Sequence, residues 1–354
     1  DPAPSAPAPS ADPLNAKAAF AALPFWSRAD VRPALSAFSR TCGVWKNKSP
    51  SAYLNPKRPE LGTIADWSAG CKAVKRAKAS ESTARAFFET YFYPQDIRTS
   101  SADTGIITGY FQPNIPVRRR ATAEFSEPIL TLPASEAVRR LPRSKITAQS
   151  SKVIAFGRPI DVFFMQVQGS GILTFEDRTQ VRAAYDGNNG YGYTSIGGVL
   201  ISAGYMTREQ ASKQSIETWM YQNGANAARM LMNENKRYIF FKPERIEGTE
   251  GPAGAMGVPL TAMGSMAVDP AYHSYGVPVW VRTKLPLAPG DYRGADTAVL
   301  AIAQDTGKAI KGLLRGDIYF GSGDTAGGRA GVMKHPGRWT VLMPQSLARQ
   351  NPVS

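Results

Sequence analysis

Four aspartates near the C-terminal end, Asp269, Asp305, Asp317 and Asp324, are the side chains whose setting best suits chemistry. Asp305 ends the apolar run Val299 to Gln304, Asp317 opens Ile318-Tyr319-Phe320, and Asp269 closes a third β-like run. A carboxylate held against apolar side chains loses hydration, so its pKa rises and it stays protonated near neutral pH. That is what a general acid for glycosidic cleavage requires. The same aspartates also suit the ends of strands, where Asp accepts backbone N–H bonds, and the pattern alone leaves both readings open. Other chemistries have less support. His273 and His335 are the only histidines, and no Ser or Cys stands in a G-x-S-x-G elbow. A metal centre would call for more His or for closely spaced carboxylates, so neither a metal nor a cofactor is expected. For holding a polar polymer, the amides and hydroxyl of Gln166, Gln168, Ser170 and Asn188 suit sugar hydroxyls and N-acetyl groups. Tyr110, Tyr193 and Tyr238 have faces on which a sugar ring can stack. Each of these reads equally well as a turn or core residue.

Positioning such residues falls to a chain that opens with helices and continues as short strands. Helical spacing of apolar residues predicts helices over Asp30–Arg40, Ile64–Ala77 and Glu81–Phe92. Thr104 to Phe111 is β-rich and stops at Pro113. Further short strands are expected at Ile160–Val167, Gly171–Phe175 and Gln180–Tyr185, with a tight turn at Asp186-Gly187-Asn188. Thr207 is a candidate N-cap for a helix over Arg208–Gln222, and a second helix is expected over Ala225–Asn233, followed by a strand at Arg237–Lys242. Gly- and Pro-rich loops from Gly248 to Pro259 suggest a boundary. Beyond them come Val277–Arg282, Ala298–Ala303, Gly316–Phe320 and Trp339–Leu342, strands separated by turns, with the spacing of a small barrel. Gly321-Ser322-Gly323 is expected to precede no helix, so nothing there reads as a phosphate-binding fingerprint.

Bulk properties agree with an exported, folded protein. Of 354 residues, 43% are hydrophobic and 20% charged, a composition that excludes a disordered chain. Asp1 to Pro13 is almost wholly Pro, Ala and Ser and is expected to be a disordered tether of the kind a processed export product retains. No apolar run reaches the roughly 20 residues that span a bilayer. The net charge is +14, in small clusters such as Arg118-Arg119-Arg120 and Lys72 to Lys78. No nucleic-acid-binding motif accompanies them, so a solvated basic face or attraction to carboxylate-bearing cell-wall glycan is expected rather than nucleic acid. Cys42 and Cys71 are the two cysteines, either a disulfide worth about 3–4 kcal/mol or a pair of buried thiols.

Several of these segments fall together in one order. Val268-Asp269-Pro270, Tyr275 to Val279, Ala303-Gln304-Asp305-Thr306-Gly307 and Gly316-Asp317-Ile318-Tyr319-Phe320-Gly321 resemble the domain named for its three aspartates, whose broader relatives are double-psi β-barrels. Upstream, Thr108 to Pro113, Phe164 to Gly171, and Tyr185 to Asn189 with Tyr191 and Tyr193 resemble membrane-bound lytic transglycosylase A. The resemblance implies a mainly β fold with N-terminal helices. A double-psi barrel domain would be built from 14–112 and 256–354, with a second β-rich domain, 113–255, inserted and a glycan groove between them. It implies a monomeric enzyme that cleaves the MurNAc–GlcNAc bond of peptidoglycan without water, leaving 1,6-anhydro ends. Its partners would be glycan strands and other cell-wall enzymes, and its place the periplasm, at the outer membrane. By the same resemblance Asp317 is the single acid/base, Asp305 a supporting active-site aspartate, and Asp269, like Cys42 and Cys71, structural. Gln112 stands where many relatives carry an acid, which argues against an essential carboxylate there. The competing readings are an expansin-like wall binder and a hydrolytic glycosidase on the same barrel.

Overall fold

The computed structural model describes residues 15–350 apart from 78, 79, 247 and 249; the tether expected over Asp1–Pro13 lies outside the described residues. Four helices come first: α1 (Ala16–Ala22), α2 (Arg32–Trp45), α3 (Ser68–Val74) and α4 (Glu81–Tyr91). They lead into β1 (Phe92–Ile97) and β2 (Gly105–Gln112). A second set follows: β3 (Asn114–Arg118), β4 (Glu127–Leu130), α5 (Glu136–Arg139), β5 (Val153–Gly157), α6 (Pro159–Gln168), β6 (Gly171–Thr174), β7 (Gln180–Asn188), α7 (Ile196–Ser202), α8 (Lys213–Gln222), α9 (Gly224–Glu234) and β8 (Ile239–Glu244). The chain then returns through β9 (Ser265–Val268), β10 (Pro278–Leu285), β11 (Ala295–Asp305), β12 (Gly316–Ser322), α10 (Gly323–Ala330), β13 (Lys334–Pro344) and α11 (Gln345–Gln350).

Two barrel-like sheets result. In the first, β13, β10, β11, β9, β12 and β2 pair in that order, and β2 pairs again with β13, which closes the ring; β1 adds to the far half of β13. The pairs β11–β9 and β12–β2 are parallel and the others antiparallel. The second sheet, ordered β4-β5-β3-β6-β7-β8, is made entirely from chain that lies between β2 and β9. One large core joins the N-terminal helices to the ring, with Phe38, Trp67, Phe88, Trp280 and Trp339 among its members. Cys42 of α2 and Cys71 of α3 form a disulfide, the first of the two outcomes the sequence allowed.

Four expectations need correction. Asp186-Gly187-Asn188 is no tight turn but the end of β7, where the pairing with β8 slips between Tyr185 and Gly187. Ile160 to Val167 is helix, not strand. Pro159 at the start and Gly169 at φ 86° after the end bracket it, the usual punctuation of a helix. Its apolar residues face two ways: Val162 and Met165 pack on the second sheet, while Ile160, Phe163 and Phe164 pack against α7 and α9. A helix buried on both sides loses its polar stripe, and with it the 3.6-residue signal. The helix expected from Arg208 starts at Lys213 instead, where Ser212 and Ser215 form a capping box. Thr207 and Gln210 cap each other across a non-helical turn. Finally, Gly321-Ser322-Gly323 does lead into a helix, α10. Its small residues let it lie close to the sheet: a Cβ on Gly327 would fall 2.5 Å from the Phe111 ring.

Candidate active site

Alternation along two neighbouring strands sorts the site from the core. In β2, Ile107 and Phe111 enter the main core, so Thr108, Tyr110 and Gln112 project from the opposite face. In β12, Ile318 and Phe320 do the same, which turns Asp317 and Tyr319 away from it. The parallel register sets Asp317 beside Thr108 and Tyr319 beside Tyr110, and on the other side β9 sets Ala267 against Asp317. Tyr110, Tyr319, Ala267, Leu260 and Ile310 close into a small apolar cluster of their own. The tyrosine rings lie 5.3 Å apart. Asp317 therefore stands on a low-dielectric patch, not in a polar loop.

The two carboxylates of this patch are held differently. Asp317 accepts one hydrogen bond at Oδ1, from the Thr108 hydroxyl at 2.7 Å. Its Oδ2 has no hydrogen-bond partner among the described residues. Burial pushes the Asp317 pKa up to about 6; the Arg315 cation and the Thr108 bond pull against that rise, and the Asp305 charge adds to it. Asp305 is saturated. Its Oδ1 accepts from the Ala255 and Thr306 backbone N–H groups, both at 2.9 Å, and its Oδ2 from the Tyr110 hydroxyl at 2.9 Å. Burial raises its pKa as well, against those three donors. Tyr110 feels both carboxylates; burial and the two negative charges hold its hydroxyl firmly protonated. One acid thus has a free oxygen and keeps its proton up to about pH 6. The other is fixed.

The remaining expected residues separate into groups. Gln168 and Ser170, at the end of α6, come to β2: Gln168 accepts from the Phe111 N–H at 3.1 Å, and Ser170 accepts from Gln112 at 3.3 Å. Asn188 ends β7, and Tyr193 lies on the loop between β7 and α7. Gln166 and Tyr238 are not surface groups. They are 3% and 1% exposed, and Gln166 accepts from Arg143 while the Tyr238 hydroxyl donates to the Pro128 carbonyl. Asp269 accepts the N–H groups of Ala271 and Gly312 and meets Lys311; burial pushes its pKa up, but these donors win and hold it low. It clamps the loop between β11 and β12. Asp324 is exposed in the first turn of α10. Gln112, buried, bonds Ser170 and Ser322, so its amide ties the second sheet to the barrel strands. Among the described residues no three His, Cys, Asp or Glu are placed to hold a metal ion.

Sequence reasoning passed over Thr108, Arg315 and the Ala255 N–H. Thr108 was open to inference, because it shares the 108, 110, 112 face of its strand. So was Arg315, two residues before Asp317; Ala255 was not, since its N–H reaches Asp305 only through a loop closed in three dimensions.

Comparison with known proteins gives consistent likenesses. Residues 139–242 match the family described as the MltA specific insert domain, and residues 264–343 match the 3D domain. A curated relative, the membrane-bound lytic murein transglycosylase A of Vibrio cholerae, is 36% identical over 247 residues, 68% of this chain. The aligned part spans 66% of that relative's length, just under two thirds. Among solved structures, a membrane-bound lytic murein transglycosylase from Agrobacterium tumefaciens superposes with a TM-score of 0.80 at 28% identity, covering 94% of this chain and 98% of that one. The lytic transglycosylase LtgG of Burkholderia pseudomallei gives 0.62 at 32% identity, covering 92% and 94%. E. coli MltA with bound chitohexaose gives 0.69 at 29% identity, covering 88% and 90%.

Proposed function

The chain belongs to the membrane-bound lytic transglycosylase A family, and on that premise we propose that it cuts peptidoglycan glycan strands with Asp317 as its only acid and base. The observation that carries this reading is the state of Asp317: a carboxyl raised to about 6, anchored at Oδ1 and open at Oδ2. A relative bound to chitohexaose, a β-1,4-linked aminosugar chain, supports a glycan as the substrate class.

In this mechanism protonated Asp317 donates its proton to the oxygen that joins MurNAc to GlcNAc. The glycosidic bond breaks as the sugar gains oxocarbenium character, and the GlcNAc hydroxyl leaves neutral. The new carboxylate then takes the proton of the MurNAc 6-hydroxyl, whose oxygen closes on the anomeric carbon of the same sugar. A 1,6-anhydro ring forms, no water is consumed, and Asp317 ends protonated as it began. Intramolecular attack has a high effective molarity, so one carboxyl suffices for both transfers. Asp305, held by its three donors, is a positioning residue: its charge raises the Asp317 pKa, and its bond orients Tyr110 toward the site. Tyr110 shares the strand that carries Thr108, Gln168 and Ser170 bond to that strand, and Asn188 and Tyr193 offer sugar contacts from the second sheet's side.

On the same reading, the closed ring is a double-psi barrel formed by 14–112 and 256–354, and 113–255 is an inserted domain across a groove from it. The protein works as a monomer on the periplasmic face of the outer membrane, beside other cell-wall enzymes. Mass spectrometry of digested murein tests the reaction. Anhydro-ended fragments are expected; reducing ends would identify a hydrolase, and absence of products a wall-binding protein of the expansin kind.

A further inference from the structure

Outside the catalytic patch, the second sheet carries a cavity of about 490 Å³ in which no step of the mechanism takes place. It is lined by Glu136, Arg139, Arg140, Asn188, Asn189 and Tyr191. Its volume suits one or two amino-acid residues.

The walls are fixed by hydrogen bonds. Asn189, only 3% exposed, donates to the carbonyls of Leu141 and Lys236 and accepts from the Tyr238 N–H. Asn188 donates to the Tyr185 hydroxyl and accepts from the Gly190 N–H and from Arg237. Arg237 also donates to the Tyr191 carbonyl at 2.9 Å.

Its charges do not balance. Glu136 is engaged with Arg140, at 2.6 Å. Arg139 has no ion-pair partner among the described residues, and its buried Nε has no hydrogen-bond partner. Arg237 is bonded to neutral groups alone, and burial lowers its pKa. A guanidinium nitrogen withdrawn from water with neither a partner nor a counter-charge, as in Arg139, is unfavourable. A carboxylate entering the cavity supplies that charge, and a guanidinium fork is shaped to receive one.

We propose that this cavity binds a free carboxylate of the short acidic peptide carried on the glycan strand, so that Arg139, backed by the charge of Arg237 on the lining residues Asn188 and Tyr191, selects peptide-bearing over bare chains. The proposal rests on the peptidoglycan reading given above.

Cleavage of intact murein is compared with cleavage of the same strands after an amidase has removed the peptides. The wild type is expected to favour the peptide-bearing strands in kcat/KM by about tenfold, and Arg139→Gln to bring that ratio near one. A ratio that is the same in both proteins overturns the proposal. Arg139→Lys, which keeps the charge and loses the fork, should give an intermediate ratio and serves if the Gln variant fails to fold. A second arm needs no cleavage: calorimetric binding of an acidic stem tetrapeptide to Asp317→Asn. Binding that disappears on amidating the peptide's carboxylates, or on adding Arg139→Gln, supports the assignment. Binding of glutarate as tightly as the peptide would make the cavity a site for small free anions and overturn it. If the wild type cleaves neither kind of strand, the proposed function has failed, and the peptide arm still decides the cavity.

Discussion

Asp317 and its neighbours make opposed predictions about pH. If Asp317 must start protonated, kcat/KM falls about tenfold per pH unit above its pKa of about 6, measurable as fragment release from murein. Asp317→Asn should lower kcat by roughly 10³-fold or more. Removing the Asp305 charge by Asp305→Asn takes away a like-charge contribution, so the descending limb moves to lower pH. Thr108→Val removes the bond that favours the ionised form, so the limb moves to higher pH. A loss of rate with no displacement of the limb in either variant would reduce both residues to structural roles. Stability responds in the sense fixed by the same shift. With a folded pKa of about 6 against an ordinary 3.8, the native state binds more protons than the unfolded chain in that interval. Stability therefore declines as pH rises from about 4 to 6, and the full cost persists above. Asp317 is partly open to solvent, so a cost on the order of 1 kcal/mol is reasonable. Asp317→Asn should melt about 2 °C higher than wild type at pH 7.5 and together with it at pH 4, read by calorimetry. Resemblance to a family singles out Asp317 among the aspartates of the sequence, but its pKa was not legible there, because Thr108 and Asp305 reach it from separate segments.

Strands and loops carry the site as a unit. The end of β11 is fixed by Gln304, which donates to the Ala37 carbonyl and the Thr41 hydroxyl of α2 and accepts from Ser265 of β9. Gln304→Leu leaves those buried groups unpaired, at a cost of about 2–4 kcal/mol in urea unfolding. Asp305 follows directly, so activity should fall with it. The 254–258 loop supplies the Ala255 N–H to Asp305, and it lies against the β11 backbone: a Cβ on Gly254 would fall 2.5 Å from the Gln304 carbonyl oxygen. Gly254→Ala must push this loop away, and it should reduce kcat more than it changes KM. An unchanged kcat would show that the Ala255 bond is dispensable. Helix α6 illustrates why elements were partly illegible. Its caps, Pro159 and Gly169, were plain in the sequence, yet its apolar run looked like a strand, because burial on two sides removes the polar face that marks a helix.

Across the whole molecule, the disulfide joins two helices that pack into the same core as the closed ring. Twenty-nine residues separate its cysteines, so opening it with Cys42→Ser and Cys71→Ser should cost about 3–4 kcal/mol on the chain-entropy account. Calorimetry should show the loss, and an unchanged melt would place the constraint outside the cooperative core. The two sheets touch through Gln112, Gln168 and Ser170 and again where Ser212 meets the Tyr292 hydroxyl. Neither junction is marked in the sequence. What the sequence determined by itself was local. The β runs of the C-terminal part, with Asp305 and Asp317 at strand edges, follow from alternation and residue type, and the order of motifs follows from resemblance to a family. Tertiary structure decided everything that depends on register. The parallel pairing of β12 with β2 sets Thr108 beside Asp317, the 254–258 loop saturates Asp305, and packing on both faces makes a helix of Ile160 to Val167. The physical reason is common to all three. A carboxylate's pKa and a side chain's environment come from groups distant along the chain, and their distance is set only when the sheet closes.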